Sequence, residues 1–443
     1  MIVDNLNKFK NIHFIGIGGI GVSAIARLLL AEGKAVSGSD VADSKLIDEL
    51  RKIGTKVRIS NKQKIGDIPK NTDLIIYSTA IEVADTKFFK AMKRLAIASI
   101  SYAEALSLIS ADKFTIAISG THGKTTTTGM VAKILMDAGF DPTVIIGSIL
   151  KEVNSNFVAG KSKYLVVEVD EYQRKFLTIF PKILIVNNID EDHLDYFKNL
   201  ADIQSAFTKF AARVPKDGLI ITDFEHPNVV PVIRTARAIT IDYNSIPIDN
   251  LRLKFPGEHN RQNARAALAV AGALGIDLRK AVLSLNNFSG TWRRFEHKGK
   301  TKKGALVYDD YAHNPQKIQA ALAGTREFFP KKRLIAVFQP HLYSRTRTLL
   351  KPLSNSFADA DMVVLAPIFS AREAPDPKIS SEILLKEICK NYKDKTLRHI
   401  ARFKDITDFL NMEGGVGDVI LTIGAGDIYK IAEDLVGENN YDK

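Results

Sequence analysis

The sequence predicts an α/β fold in three domains. These are an N-terminal Rossmann-like domain over 1–109, a central P-loop ATPase-like domain with a mostly parallel sheet over 110–291, and a C-terminal Rossmann-like domain over 292–443. Three observations predict it. The chain has 443 residues, and domains usually hold about 150. Apolar strand-length runs alternate with helically spaced segments, the pattern of crossover units on parallel sheets. Two of those strands run directly into glycine-rich turns that open helices.

In the first domain, Asn11–Ile15 is a short apolar strand and Val22–Ala31 has helical spacing. Lys34–Ser37 leads into another strand, and Leu74–Tyr77 is a further apolar run ending at a turn. Between the first strand and helix stand Gly16-Ile17-Gly18-Gly19-Ile20-Gly21, a G-x-G-x-x-G pattern, with Asp40 19 residues beyond Gly21. Free backbone N–H groups and the helix dipole at such a turn favour a pyrophosphate. That physics suits any nucleoside diphosphate, NAD included, and Asp40 can serve a uridine or a ribose. Packing of helix on sheet is the alternative for a lone motif. Here strand, helix and acid all fall where a ligand site needs them. Gly16, Gly18, Gly19, Gly21 and Asp40, with Ser78 and Thr79 at the turn after Leu74–Tyr77, are the expected substrate-binding set.

In the second domain, Phe114–Ile118 feeds Ser119-Gly120-Thr121-His122-Gly123-Lys124-Thr125-Thr126, and Thr125–Ala138 follows as a helix. This is a shortened phosphate loop, G-x-x-G-K-T. Its N–H groups wrap phosphates, Lys124 neutralises the outer ones, and the Thr125 hydroxyl suits Mg²⁺. Four consecutive threonines are poor helix formers, so function explains them better than folding does. Tyr164–Val169 and Ile183–Val186 read as strands buried on both faces. In the third domain Ala305–Tyr308, Leu334–Phe338, Met362–Ala366 and Val419–Ile423 read as parallel strands.

Composition bounds the partners. The net charge is +12, but the basic residues are dispersed and no RNA-recognition or zinc-knuckle motif occurs, which points to small polyanions and away from nucleic acid. No apolar run is long enough to span a bilayer, and the N-terminal residues lack signal-peptide character. Cys389 is the only cysteine, in keeping with a reducing, cytoplasmic setting. Two phosphate loops on successive α/β units suggest a nucleotide-linked substrate activated by ATP.

Five groups of residues carry a family resemblance. They are HFIGIGGIGVSAIARLL at 13–29, GTHGKTTTT at 120–128, and VVEVDEYQRKFL at 166–177 with NNIDEDHLDYF at 187–197. The fourth is PGEHNRQNARAA at 256–267, and the fifth joins WRRFE at 292–296, DDYAHNP at 309–315 and FQPHLYSRT at 338–346. In this order they resemble the Mur ligases. The resemblance implies ATP-driven amide formation through an acyl phosphate, with UDP-N-acetylmuramate and L-alanine as substrates and ATP and Mg²⁺ as cofactors. It implies that Thr125, Glu168 and His193 hold metal. Gly120, Thr121, His122, Gly123, Lys124, Thr125, Thr126, Asn260, Asn263, Arg294 and Asp310 would hold the nucleotide, and His313 and Arg345 would face the amino acid. Lys124, Glu168, His193, His313 and Arg345 form the expected catalytic group.

Read singly, several of these residues have plainer explanations. Asp309 and Asp310 suit a strand end, Arg293 and Arg294 a solvated pair, Trp292 the core, and Asn263 a helix surface. Leu342 stands where many relatives place a second arginine, and Tyr102 where an arginine is common. The stretch from Asp242 to Pro256 is short, and the family's extra strands of the central domain are expected to be missing. A same-family ligase adding another amino acid or a tripeptide is the nearer alternative, and an NAD-dependent oxidoreductase the farther one.

Overall fold

The computed structural model describes residues 3–437 apart from 194, 195 and 372, together with the Lys45 backbone alone. The polar tail Gly437–Lys443 is expected from its sequence to fray; beyond Gly437 it lies outside the described residues. Among the described residues three sheets are formed. The first comprises β1 (Asn11–Ile15), β2 (Ala35–Asp40), β3 (Lys56–Ile59), β4 (Leu74–Tyr77) and β5 (Ala98–Ser101), in the order β3-β2-β1-β4-β5, all parallel. The order reverses between β1 and β4, the switch point at which open α/β sheets leave a crevice beyond the strand ends.

The second sheet comprises β6 (Phe114–Ser119), β7 (Thr143–Leu150), β8 (Ser155–Val158), β9 (Tyr164–Glu168), β10 (Ile183–Val186), β11 (Leu219–Thr222) and β12 (Ile239–Asp242). Its order is β12-β11-β10-β6-β9-β7-β8, parallel except for the β7–β8 hairpin. The third comprises β13 (Glu296–Lys300), β14 (Leu306–Asp310), β15 (Arg333–Phe338), β16 (Met362–Leu365), β17 (Thr396–His399) and β18 (Asp418–Ile423), ordered β13-β14-β18-β15-β16-β17, with only the β13–β14 pair antiparallel. No described residue between β12 and Pro256 is in a strand; a single turn of 3₁₀ helix, Tyr243–Ser245, occupies that stretch.

The chain forms two compact units. One runs up to Leu253 and includes Arg261–Ser289; the other consists of Lys254–Asn260 and residue 290 onward. The first unit holds two sheets with a shared core. Ile12 and Phe14 of β1 pack with Val22, Ile25 and Leu29 of the helix Ile20–Ala31, and this core continues through Leu106 and Ile109 into Phe176, Phe207 and Phe210. Ile15, Ile75, Tyr77, Phe88 and Met92 fill the other face of the first sheet. Burial on both faces explains why these strands read as continuous apolar runs. The second unit is centred on Val307, Ile335, Val337, Val364 and Ile420, covered by Ile406, Leu410, Ile431 and Leu435.

Candidate active site

The site is built on strand ends. β6 ends at Ser119, and the chain enters the loop 120–123 before the helix Lys124–Asp137. Gly120 and Gly123 have φ of +128° and +78°. A Cβ at 120 would meet the N–H groups of Asn187 and Asn188 at 3.1 Å, and one at 123 would collide with Asn263 Oδ1, so both positions require glycine.

The exit of β10 braces this loop. The His122 N–H donates to Asn188 Oδ1 (2.8 Å), Asn187 Nδ2 donates to the His122 carbonyl (3.0 Å), and the Asp190 N–H donates to Thr121 Oγ1 (2.9 Å). Two of the four threonines turn out to serve the fold. Thr127, fully buried, donates to Asn263 Oδ1 (3.1 Å), and Thr128 donates to the Lys124 carbonyl (2.8 Å). Thr125 is the one that donates to Glu168, at 2.8 Å from Oε1, while Thr126 is half-buried. Asn263 is therefore no helix-surface amide.

Lys124 Nζ donates to the Gly120 carbonyl (2.7 Å) and to Glu171 Oε2 (2.8 Å), and Glu171 is only 2% exposed. Burial alone would lower the Lys124 pKa, but Glu171, Asp170 and Glu168 outweigh it and hold the ammonium above the ordinary lysine value. Burial pushes Glu171 upward against the pull of Lys124, with Asp170 adding to the rise. The two shifts point opposite ways for the pair. We place the proton on Lys124, because three carboxylates surround it. Asp170 is depressed: burial opposes this, but Lys124, the Tyr172 N–H and His193 prevail.

Glu168 is held from its other side. Its Oε2 accepts from the Gly147 N–H on β7 at 2.7 Å, and a Cβ at 147 would lie 2.8 Å from both carboxylate oxygens. The ligating atoms of Asp170, Glu171 and His193 lie within 4.8 Å of one another. His193 Nε2 is 3.9 Å from Asp170 Oδ1 and 4.0 Å from Glu171 Oε1, and its ring packs on Tyr172. Gln173, Arg174 and His193 all have positive φ, a backbone state costing of order 1–3 kcal/mol each and kept where surroundings enforce it. Of the expected metal set, Thr125 and Glu168 come together directly, whereas His193 groups with Asp170 and Glu171. Neither of those two was anticipated. The signal was their adjacency to Glu168 at a strand end, inside a motif already singled out.

The first glycine loop follows β1. Gly16 has φ +73°, and a Cβ there would press on Ser78 Cβ at 3.0 Å. The Ser78 N–H continues the sheet to the Ile15 carbonyl (2.9 Å), and Thr79 precedes the helix Ala80–Ala84. Asp40 turns its carboxylate to the loop, with Oδ2 accepting from the Gly18 N–H and Oδ1 from the Val41 N–H, both at 2.7 Å. Gly19 caps the helix Ile20–Ala31 without a side-chain bond, leaving its first-turn N–H groups available.

The β7–β8 hairpin contacts the surroundings of both loops. Gly147 on β7 holds Glu168, and Asn156 on β8, fully buried, donates to the Ile20 carbonyl (2.6 Å) and to Ser23 Oγ (3.1 Å). Nothing in the local sequence announced Asn156.

In the second unit, Asn260 donates to the Pro256 carbonyl at 2.6 Å. Arg294 lies over the Tyr311 ring at 5.3 Å, and Asp310 accepts from the N–H groups of Phe295 and Ala312, each at 2.8 Å. The reading of Arg293 and Arg294 as a solvated pair fails for Arg293. It is 2% exposed, reaches Asp309 Oδ2 at 2.7 Å, and donates to the carbonyls of Gly424 and Gly426. Asp309, fully buried within β14, is equally no turn residue; burial lifts its pKa to about 6 against Arg293 and Thr422. Trp292 is half-buried, its ring edge-on to Tyr429.

His313 Nδ1 is 2.9 Å from the Tyr311 carbonyl, and its ring lies 6.1 Å from that of His341. His341 stacks on Phe369 and meets Arg345 at 3.2 Å. Burial, then nearby cations, lower His313 to about 3 and His341 to about 4, so both imidazoles are neutral. Leu342 has φ +67°, fixed by its N–H to Phe369 and its carbonyl to Thr346.

Three family models match in chain order. They are the Mur ligase family catalytic domain over 11–114, the Mur ligase middle domain over 118–250, and the Mur ligase glutamate ligase domain over 293–426. UDP-N-acetylmuramate–L-alanine ligase of Caldanaerobacter subterraneus is 41% identical, the match covering 98% of this chain and 99% of the relative. The protein of that name from Clostridium tetani is 39% identical, with 98% and 99% covered. Among solved structures, UDP-N-acetylmuramate-alanine ligase of Thermotoga maritima superposes with a TM-score of 0.80 at 26% identity, covering 98% of this chain and 100% of that one. With matches running the length of the chain, in sequence and in fold alike, the protein belongs to the Mur ligase family.

Proposed function

We propose that this ATP-dependent ligase joins L-alanine to UDP-N-acetylmuramate, releasing ADP and phosphate, as a cytoplasmic step in peptidoglycan precursor synthesis. The observation that carries the reading is the β7–β8 hairpin, which reaches both sites: its Gly147 N–H holds Glu168, the partner of Thr125, and its Asn156 holds the Ile20 carbonyl at the first glycine loop. A dehydrogenase would leave Lys124, Glu168 and His193 without a task. Among the described residues no helix is long and apolar enough to cross a membrane.

In this reading the substrate diphosphate lies at the first turn of the helix Ile20–Ala31, between Gly16–Gly21 and Ser78–Thr79, with Asp40 bracing the turn. The nucleotide phosphates lie along 120–126, and Lys124 exchanges Glu171 for them. The resemblance assigns Asn260, Asn263, Arg294 and Asp310 to the nucleotide. The hydroxyl of Thr125 and the carboxylates of Glu168, Asp170 and Glu171 are the hard oxygen donors Mg²⁺ prefers, and His193 adds a nitrogen. Bound there, the metal supplies charge neutralisation at the transferring phosphoryl group.

The chemistry runs in two steps. The lactyl carboxylate oxygen attacks the γ-phosphorus, the bond to the bridging oxygen breaks, and ADP leaves. The alanine nitrogen then attacks the acyl carbon, phosphate departs, and the nitrogen loses a proton. Arg345 pairs with the alanine carboxylate. His313, depressed to about 3, is too weak a base to hold that proton at neutral pH and acts as a neutral hydrogen-bonding wall.

The test is phosphate release with UDP-N-acetylmuramate, ATP, Mg²⁺ and single amino acids. Release only with alanine is expected. No release with any amino acid overturns the ligase reading. Stronger release with glycine or serine keeps the chemistry and changes the amino acid.

A further inference from the structure

We propose that the phenol of Tyr102 donates a hydrogen bond to the diphosphate of the nucleotide-sugar substrate, completing the anion site at the first glycine loop. The inference rests on the ligase reading above, and it concerns a residue outside the expected binding set.

Tyr102 opens the helix Tyr102–Ala111. A capping box fixes that first turn: Ser101 Oγ accepts from the Glu104 N–H (3.2 Å), and Glu104 Oε2 accepts from the Ser101 N–H (2.6 Å). Farther along, Ser107 Oγ ties the helix to the Thr178 carbonyl at 2.6 Å, at the end of the 3₁₀ segment Tyr172–Thr178. The backbone beneath Tyr102 is thus anchored at both ends.

The ring faces the first turn of the helix Ile20–Ala31. A Cβ at Gly21 would stand 2.9 Å from Tyr102 Cε2 and 3.5 Å from Cζ. Cδ2 would lie at 3.6 Å, so it is the Cε2 edge of the ring, beside the hydroxyl-bearing Cζ, that lies against the diphosphate turn. This gives the last glycine of the motif a reason: it makes room for the ring.

The hydroxyl makes no hydrogen bond among the described residues, although the ring is half-buried and packs against the core. A tyrosine so placed usually finds a partner for its O–H. Nor does it belong to the buried unpartnered polar atoms, so it opens to solvent. Burial, with Asp170 and Glu168, raises the phenol above its ordinary value, so it remains a donor at neutral pH. A neutral donor suits this place, because a phenolate would repel both the diphosphate and the nearby carboxylates.

A contact to the diphosphate, remote from the reacting carboxylate, is made equally in ground and transition states. It should act on KM and leave kcat alone. Tyr102→Phe keeps the ring and its contact with Gly21 and removes only the hydroxyl. Three quantities are measured: steady-state constants, calorimetric affinity for UDP-N-acetylmuramate, and affinity for UDP-N-acetylglucosamine, which has the diphosphate but no lactyl carboxylate. Losing a hydrogen bond to a charged group should weaken both ligands about tenfold. The KM for UDP-N-acetylmuramate should rise alike, with the KM values for ATP and alanine unchanged. Unaltered affinity for both ligands overturns the proposal. So does weakening confined to UDP-N-acetylmuramate, which would put the hydroxyl on the carboxylate, or a fall in kcat at constant KM. Binding needs no turnover, so a wild-type protein that binds both ligands but releases no phosphate would sink the ligase reading and leave this test legible.

Discussion

Lys124 Nζ lies 2.8 Å from Glu171 Oε2, so the cation of the phosphate loop is already paired within the protein. On the proposed reading, nucleotide replaces that carboxylate. The exchange swaps one anion for another in a buried setting, which keeps Lys124 charged throughout. Lys124→Ala should cut phosphate release by roughly 10²–10³ or more, the usual cost of deleting a donor aimed at developing charge. UDP-N-acetylmuramate affinity, read by calorimetry, should stay within about threefold, since that ligand is assigned to the other loop. Loss of both would mean the two loops are not separable.

Glu168 depends on the absence of a side chain at Gly147. A methyl group there would stand 2.8 Å from both carboxylate oxygens and turn them away from Thr125. Gly147 has no positive φ, so alanine suits the backbone and the variant should fold. Disturbing a group that orients a metal ligand typically costs about 10- to 100-fold in metal affinity. Gly147→Ala should therefore raise the Mg²⁺ concentration for half-maximal activity by that order. An unchanged Mg²⁺ titration would count against Glu168 as a ligand.

How far the sequence discloses this site follows from where each residue stands. Lys124 and Thr125 could be singled out because an apolar strand runs into a glycine-rich phosphate loop; Glu168 was singled out only by the family resemblance, although it ends a buried strand that reads as an apolar run. Glu171 was legible in principle, three residues past Glu168, but its pairing with Lys124 is a tertiary fact. Arg293 was misread because two adjacent arginines look alike in sequence. Which one is buried is set by the positive φ at Arg293 and Phe295, which turns one guanidinium inward. The edge strands β3 and β17 escaped notice because exposed edges carry little apolar pattern. The β-branched run in β7 was there to be read; the buried amide of Asn156 was not.

Arg293 and Asp309 form an ion pair with side-chain exposures of 3% and 0%. Arg293→Ala would strand the Asp309 carboxylate and leave the Gly424 and Gly426 carbonyls without their donor. Breaking one side of such a pair costs about 3–5 kcal/mol. Arg293→Leu combined with Asp309→Leu should cost less than Arg293→Ala alone, because no charge is left behind. Denaturant unfolding of the wild type, Arg293→Ala, Arg293→Leu, Asp309→Leu and the double Leu variant tests this; a double variant as unstable as the sum of its two Leu singles would show that the two residues do not act as a pair.

His13 makes stability depend on pH in one direction. It is 1% exposed in the middle of β1, with Nδ1 2.9 Å from Ser37 Oγ and Nε2 unpartnered. Burial lowers its pKa to about 4, with Asp67 pulling weakly the other way, whereas the unfolded chain has a histidine near 6.5. Above pH 6.5 both states carry the neutral ring and stability is full. As pH falls from 6.5 towards 4, the unfolded state binds the proton first, so stability declines by at most about 1.4 kcal/mol per pH unit for this one group. Below about 4 both states are protonated and the decline ends. His313 and His341 shift in the same sense, so the total slope exceeds one proton. His13→Gln removes only the His13 contribution. Between pH 4.5 and 6 its unfolding free energy should fall less steeply than that of the wild type, by about one proton's worth. Parallel slopes would mean that His13 is protonated inside the fold, and that the strand tolerates a buried imidazolium beside Ser37.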